Sequence, residues 1–392
     1  MDKQKFTILF TVFVDVVGFG IVIPILPFYV GSFGASAFTI TLLFAAFAFF
    51  AFLSSPFLGA LSDKVGRRPV LLISILSTAV GWFVFASAQS IWILFLGRII
   101  DGVAAGNYTI AQSYLVDLSK DEKERAANLG LIGATFGIGF IVGPMLGGLL
   151  SKVSHAFPFW FTGMLALANT IVAYFSLPET HHQRSTAPLT FNPLTPLARA
   201  LYDKTLRPLY ISWIMFALAF VTSQTVFALY TERALGFDSF TTGLMFTGAG
   251  FFMALNQGVF LRSFWLKRFN EEQLEFGMLG ALGASLLIMG VRNPYVFAAG
   301  IPVMSIAHST LRVVIVSRAA GLADPTMKGE IIGIFTSVFA AMMVVGPPLA
   351  GILFEWDLSL PFFIAAGFCL VALWISHART RKLALAKPSN IE

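Results

Sequence analysis

The chain of 392 residues is 57% hydrophobic and only 12% charged, with a mean hydropathy of +0.81 and a formal net charge of +6. That composition excludes a soluble globular domain and leaves a polytopic membrane protein. The single cysteine, Cys369, excludes an intrachain disulfide and a cysteine-rich metal site.

Apolar segments of about 20 residues, enough to cross a bilayer as helix, recur along the whole chain. They lie near residues 6–30, 39–61, 70–88, 91–116, 127–150, 157–178, 208–231, 240–262, 273–291, 294–318, 329–353 and 359–377. These predict an all-α integral membrane protein of about twelve transmembrane helices, spans 1 to 12; barrel strands would be shorter and would alternate. Span 1 outruns the apolar region of a signal peptide, carries Asp15 and lacks a small-x-small cleavage site, so it reads as a true span. With the N-terminus in the cytoplasm, only Lys152, Arg233 and Arg292 among the loop and tail lysines and arginines fall outside. Both termini are therefore expected to be cytoplasmic, and topology accounts for the net positive charge.

In span 1, Asp15 sits within Phe13-Val-Asp15-Val-Val-Gly18-Phe-Gly20, followed by Pro24 and Pro27. A desolvated carboxylate there is a candidate proton carrier, or a structural hydrogen-bond acceptor for a neighbouring helix. Spans 2 and 3 are joined by Gly59-Ala-Leu-Ser-Asp63-Lys-Val-Gly66-Arg67-Arg68-Pro69, a fixed order of small and charged residues. Gly59 would admit a neighbouring backbone, Gly66 a turn at positive φ, and Asp63 a pairing with Arg67 or a helix cap; plain positive-inside decoration is the simpler alternative.

On span 4, Arg98, Asp101, Ala105, Tyr108 and Gln112 recur at the spacing of one helical face, which predicts a stripe lining water. Span 5 carries Gly130, Gly139, Gly143, Pro144, Gly147 and Gly148, a pattern for close helix crossing with a kink at the proline. The long polar connection, residues 179–207, divides the chain into a first bundle, 1–178, and a second, 208–392, with a short cytoplasmic tail. Its His181-His182 pair reads as polar filler rather than a metal site.

The halves repeat each other. Gly34-Ala-Ser-Ala-Phe38-Thr39 matches Gly236-Phe-Asp-Ser-Phe240-Thr241 at an offset of 202 residues, and Gly143-Pro144 matches Gly346-Pro347 at 203. Leu115-Val-Asp117 matches Leu322-Ala-Asp324 at 207. Two pseudo-symmetric six-helix bundles follow, with a substrate site expected between them at the midplane. The stripe on span 10 equivalent to that on span 4 is Ser305, His308, Arg312, Ile315 and Ala319, so His308 stands in the place of Asp101. His308 and Arg312 are expected to face the cavity, with helix packing the alternative for His308; Gln224 on span 7 and Asn256-Gln257 on span 8 are weaker cavity candidates.

Together these segments resemble a major facilitator superfamily transporter, and within it the twelve-helix drug/proton antiporters that include tetracycline and multidrug exporters. The likeness rests on the Gly59–Pro69 loop, Asp15 with its glycines and prolines, Arg98 with Gly102, the Gly130–Gly148 pattern and Leu177-Pro178-Glu179-Thr180. The resemblance implies a multi-pass protein of a bacterial cytoplasmic (inner) membrane, a monomer that uses the proton gradient and no cofactor. Its partners would be protons, a small-molecule substrate and the lipid bilayer, with no nucleic acid. Asp63, Arg67, Asp117 and Arg125 would form a cytoplasmic gate with Gly59, Gly66 and Arg68, while Arg98 would tune proton exchange by Asp15 and Asp101. Tyr108, Gln112, Gln224, Asn256, Gln257, His308 and Arg312 would line the substrate cavity. The sequence departs from related exporters in placing Gln224 where an acid is usual in span 7, and in lacking the loop motif in its second half, which reads Arg262-Ser-Phe-Trp-Leu-Lys267-Arg268.

Efflux of amphipathic drugs is thus the leading expectation. An anionic or zwitterionic metabolite, a siderophore or a lipid-like substrate is the alternative that His308 and Arg312 favour, and a non-transporting sensor lies further off. The chain shows no nucleophile and base pair, no metal-ligand cluster and no phosphate loop, so no enzyme activity is expected.

Overall fold

A computed structural model describes residues 3–180, 198, 206–322 and 327–386, with side chains as far as residue 378. The central linker residues, His181 and His182 among them, and Asp324 of the repeat lie outside the described residues. The described chain is helical, in the order α1 (Lys3–Gly31), α2 (Ala37–Val65), α3 (Arg67–Ala86), α4 (Ile91–Val103), α5 (Asn107–Asp117), α6 (Glu122–Leu150) and α7 (Phe157–Ser176). After the linker come α8 (Arg207–Arg233), α9 (Ser239–Arg268), α10 (Glu271–Met289), α11 (Pro294–Leu322), α12 (Lys328–Trp356) and α13 (Leu360–Ala386). Among the described residues, ten helices are long and apolar enough to cross a membrane. The other two of the twelve predicted spans are span 4, broken into α4 and α5, and span 9, where α10 opens on Glu271 and Glu272.

Local chemistry sets the boundaries. Ser36 caps α2 by accepting from the Thr39 amide at 3.2 Å, Asp121 caps α6 through Glu124 N at 2.7 Å, and Asn270 with Gln273 forms a reciprocal capping box at the start of α10. Within α9 the stretch Asn256–Trp265 widens to π-helical turns, which re-aims the side chains of the second half of that helix.

The chain compacts into two units, Met1–Pro193 with Phe227–Gly250, and Leu194–Val226 with Phe251–Glu392. The end of α8 and the start of α9 join the first unit through Phe227 on Phe246 (4.4 Å between ring centres), Thr231 on Thr242 (2.9 Å) and Ser151 on Ser239 (2.8 Å).

In the first unit, α1 is the most enclosed helix and α6 lies along it on small residues. A Cβ on Gly143 would stand 2.8 Å from the Val17 carbonyl oxygen, one on Gly139 2.9 Å from Val16 Cβ, and one on Gly147 3.0 Å from the Ile21 carbonyl oxygen. Gly148 and Gly243 approach each other in the same way at the α6–α9 crossing. In lipid no hydrophobic drive brings helices together, so backbone approach through missing side chains supplies the dispersion contact. Gly130 is different: a Cβ there meets nothing within 4 Å, which corrects its expected packing role, because the seam begins only at Gly139.

In the second unit, Trp213 Nε1 donates to the Phe335 carbonyl at 2.8 Å, pinning α8 to α12. The fully buried Glu275 of α10 is met by Arg318 of α11, which also reaches Glu272 at 3.1 Å. Arg318→Met would strand the Glu275 carboxylate without its cation, a loss of about 3–5 kcal/mol. The expected result is a clearly lower melting temperature for the detergent-solubilised protein, largely restored when Glu275→Leu is added; a single variant that melts with the wild type would remove this pair from the stability of the unit.

Candidate functional site

The break between α4 and α5 shapes the polar centre of the first unit. At Ala104-Ala105-Gly106 the chain tightens, with Gly106 N donating to the Ala104 carbonyl at 2.7 Å, and helix resumes at Asn107. The predicted single stripe is therefore corrected. Arg98 and Asp101 are buried, whereas Tyr108 beyond the break is exposed and edge-on to Phe136, and Gln112 is half-buried. The inward position falls to Asn107, which sequence reasoning missed. Its signal was the pair Gly102 and Gly106, which marks an interruption of helix 4 just before an amide side chain.

Asn107 links three helices. Its Nδ2 donates to Asp15 Oδ1 of α1 at 3.1 Å and to Thr78 Oγ1 of α3 at 3.2 Å. Asp101 pairs with Arg98 Nη1 at 3.5 Å. The Arg98 guanidinium lies over the Phe47 ring at 4.4 Å and near the Trp82 ring at 5.0 Å, so aromatic faces stand in for part of its lost hydration. The predicted residues Asp15, Arg98 and Asp101 are thus all placed within the first unit's polar centre: Asp101 is paired with the fixed cation Arg98, and Asp15 is held by Asn107, which also bonds Thr78. Such a set can take up and release a proton while the cation limits the cost of the remaining charge.

A second polar cluster surrounds the α2–α3 turn. Gly66 adopts φ +121°, and a Cβ on it would fall 2.3 Å from Glu179 Oε2, so the turn and the close approach both require glycine. The Glu179 carboxylate accepts from the Arg67 and Arg68 amides at 2.8 and 3.2 Å, occupying the N-terminus of α3 as an anion should. The Arg67 side chain reaches Asp63 at 2.5 Å, Ser62 Oγ at 2.7 Å and Asp117 at 3.2 Å. Arg68 donates to the Tyr174 carbonyl at 2.8 Å and covers that ring.

Two expectations are revised here. Arg125 pairs with Glu122 on its own helix at 3.5 Å instead of joining Asp63, Arg67 and Asp117, because α6 turns it outward. A Cβ on Gly59 would stand 3.4 Å from the Thr109 methyl, an ordinary side-chain contact rather than a neighbouring backbone. Glu179, quoted in the sequence only as part of a pattern, is the residue that completes the turn. Nearby, Lys5 pairs with Glu124 across α1 and α6; this bond first, and the Lys120 amide second, hold Glu124 below its ordinary carboxylate range.

The second unit alters the predicted cavity set. His308 is buried face to face with Phe220 (3.6 Å between ring centres) and near Phe216 (5.4 Å), and neither ring nitrogen has a hydrogen-bond partner. Arg312, one turn on, is exposed. α11 thus sends His308 into an aromatic sandwich and Arg312 out of it. Asn256 donates to Ser309 at 2.8 Å and Thr310 at 2.9 Å and accepts from Trp265 Nε1 at 2.8 Å, which makes it a helix tie rather than a free cavity amide. Gln257 is exposed and Gln224 half-buried. Among the described residues no group of His, Cys, Asp and Glu could hold a metal ion.

Comparison with known proteins agrees with this architecture. Residues 8–289 match the family model of the Major Facilitator Superfamily. The chain is 28% identical to the quinolone resistance protein NorA of Staphylococcus aureus (strain MSSA476) over the whole of both sequences. It is 30% identical to the class C tetracycline resistance protein of Escherichia coli, covering 95% of this chain and 96% of that one. Among solved structures, a peptide transporter POT superposes with a TM-score of 0.83 at 16% identity over 97% of this chain and 95% of that one. The human organic anion transporter MFSD10 gives 0.71 at 24% identity over 95% and 99%. At those identities the structures speak for the fold alone. With the family model matched over most of its length, the chain belongs to the Major Facilitator Superfamily.

Proposed function

We propose that this transporter exports amphipathic small molecules of the quinolone or tetracycline kind in exchange for protons, by alternating access of its two bundles. The observation that supports this reading is the buried polar set of the first unit, Asp15 held by Asn107 beside Thr78, and Asp101 paired with Arg98. The names of the NorA and class C relatives support the substrate class. A bacterial cytoplasmic membrane with both termini inside accords with the charge asymmetry of the loops. The alternative of an anionic or zwitterionic substrate rested on His308 and Arg312 facing the cavity together, and it is set aside because His308 is enclosed by Phe216 and Phe220.

The test is flux of norfloxacin and of tetracycline in proteoliposomes under an imposed pH gradient. Asp15→Asn keeps the size of the side chain but cannot titrate, so it should lower proton-driven flux at least tenfold while retaining drug binding. Undiminished coupled flux in that variant would overturn the proton reading. Absence of flux for either drug in the wild-type protein would overturn the substrate class.

The α2–α3 cluster serves as the cytoplasmic gate in this reading. Removing a charge that is paired in one state only shifts the population towards the other. Asp63→Asn and Arg67→Ala should therefore lengthen the distances between spin labels placed across the cytoplasmic ends of the two bundles. Distance distributions identical to wild type would return this loop to a purely topological role.

A further inference from the structure

We propose that the far end of α9 holds the phosphate of an anionic phospholipid, gripped by Arg262, Lys267 and Arg268 at the membrane surface that the loop charges assign to the cytoplasm. A lipid held there is a ligand of the membrane surface, whatever the transported substrate is.

The sequence supplies the charge. From Gln257 to Asn270 the chain carries three cations and no acid, where the first half sets Asp63 beside Arg67. The acids that follow are engaged with α11: Glu271 accepts from Ser317 Oγ at 2.6 Å, and Glu272 and Glu275 both meet Arg318. Among the described residues, Arg262, Lys267 and Arg268 form no ion pair, and all three are exposed.

Length supplies the depth. α9 runs from Ser239 to Arg268, 30 residues. Even with its π-helical turns it is about 40 Å long against about 30 Å of hydrocarbon, so its last turns reach the headgroup layer. Alongside the cations there, Val259, Phe260, Leu266 and Phe269 are 41–52% exposed. Apolar side chains for acyl chains thus stand beside cations for headgroups.

The aromatic residues turn this charge into a shaped site. The Trp265 indole N–H is tied to Asn256 Oδ1 at 2.8 Å, and Asn256 in turn to Ser309 and Thr310 of α11, which fixes the ring. Phe264 stands edge-on to Trp265 with 4.8 Å between ring centres, and the Arg268 guanidinium lies over Phe264 at 4.4 Å. Stacking engages the face of the guanidinium and leaves its in-plane N–H groups for oxygen acceptors, the fork that matches a phosphate. A soluble acidic peptide would use the fork but leave the apolar side chains uncovered, whereas a phospholipid covers both.

The experiment is native mass spectrometry of the full-length protein released from neutral detergent, titrated with dioleoylphosphatidylglycerol and, as the zwitterionic reference, dioleoylphosphatidylcholine. The wild-type protein should bind the anionic lipid more tightly, and each of Arg262→Gln, Lys267→Gln and Arg268→Gln should weaken that binding about fivefold. Phe264→Leu keeps every charge but removes the ring beneath Arg268, and should weaken phosphatidylglycerol binding about threefold with no change for phosphatidylcholine. Lys120→Gln combined with Lys123→Gln, two exposed cations at the start of α6, should alter it by less than about twofold.

Equal affinity for the two lipids in the wild-type protein would overturn the proposal. So would unchanged binding in Phe264→Leu, or a loss in the Lys120 and Lys123 variant as large as that from two of the site substitutions, since net charge alone would then account for the attraction. Inorganic phosphate or a poly-glutamate peptide that displaces phosphatidylglycerol at equal concentration would assign these cations to a soluble anion and overturn the lipid. Should a glutamine variant fail to insert, Phe264→Leu, with all its charges in place, decides the matter.

Discussion

Charge placed inside an apolar helix bundle has no water to fall back on, and the first unit is built around meeting that requirement at Arg98. The guanidinium is 2% exposed and has Asp101 as its ionic partner and the Phe47 and Trp82 faces as its lining. For that lining to close, α3 must approach α4 at backbone distance. Gly81 and Gly97 permit it: a Cβ on Gly81 would lie 3.0 Å from the Asp101 amide nitrogen, and one on Gly97 2.9 Å from the Gly81 carbonyl oxygen. On the same helix α3, Thr78 is tied through Asn107 to Asp15. One desolvated cation thereby dictates the spacing of two helices and the identity of the neutral groups between them.

The second constraint is mechanical. Side chains as bulky as leucine would hold α1 and α6 apart and leave lipid-sized gaps, but the glycines at 139, 143 and 147 let the helices touch along nearly their full crossing. Because Gly148 meets Phe240 and Gly243 of α9, the same helix is held on a further side. α6 thus carries two narrow seams with little side-chain interlocking, a geometry in which small sliding or tilting disturbs few contacts. The clusters at Arg98 and Arg67 are of the opposite kind, in that each depends on directed hydrogen bonds and ion pairs whose strength falls steeply with distance and angle.

Much of this was legible in the sequence, for identifiable reasons. Hydropathy and charge bias depend on one residue at a time, so the spans and the duplicated halves could be read directly. Asp15, Arg98 and Asp101 stood out because ionisable groups are rare in apolar runs. What failed was everything that depended on a helix staying regular. Ala105, Tyr108 and Gln112 were placed on the face of Arg98 by counting through Gly102 and Gly106, where the chain in fact breaks. The pairing of His308 with Arg312 assumed that residues one turn apart share an environment, yet Phe216 and Phe220 from α8 enclose only the first of them. Glu179 was invisible as a functional group because its partners, the amides at the start of α3, carry no sequence signature.

The two halves also differ in a way that explains why only the first shows the loop motif. In the first, Arg67 begins α3 and pairs with Asp117, the last residue of α5; in the second, Glu272 near the start of α10 pairs with Arg318 towards the end of α11. The paired positions lie 205 and 201 residues apart, close to the repeat offsets of 202 and 203, so the same contact recurs with its charges exchanged. Coulomb's law is indifferent to that exchange, but helix termini are not. Acids at a helix start and a cation towards a helix end are favoured by the backbone dipoles, whereas a cation at a start and an acid at an end are opposed, by about 0.3–1 kcal/mol per charge. The second half therefore needs no further device. The first half has its charges against both termini, and the Glu179 carboxylate at the amides of Arg67 and Arg68 supplies the missing anion, a contact that only glycine at position 66 leaves room for. The motif is the local cost of the unfavourable polarity: Gly66 exists for Glu179, Glu179 for the start of α3, and the start of α3 for the arginine that binds Asp63 and Asp117.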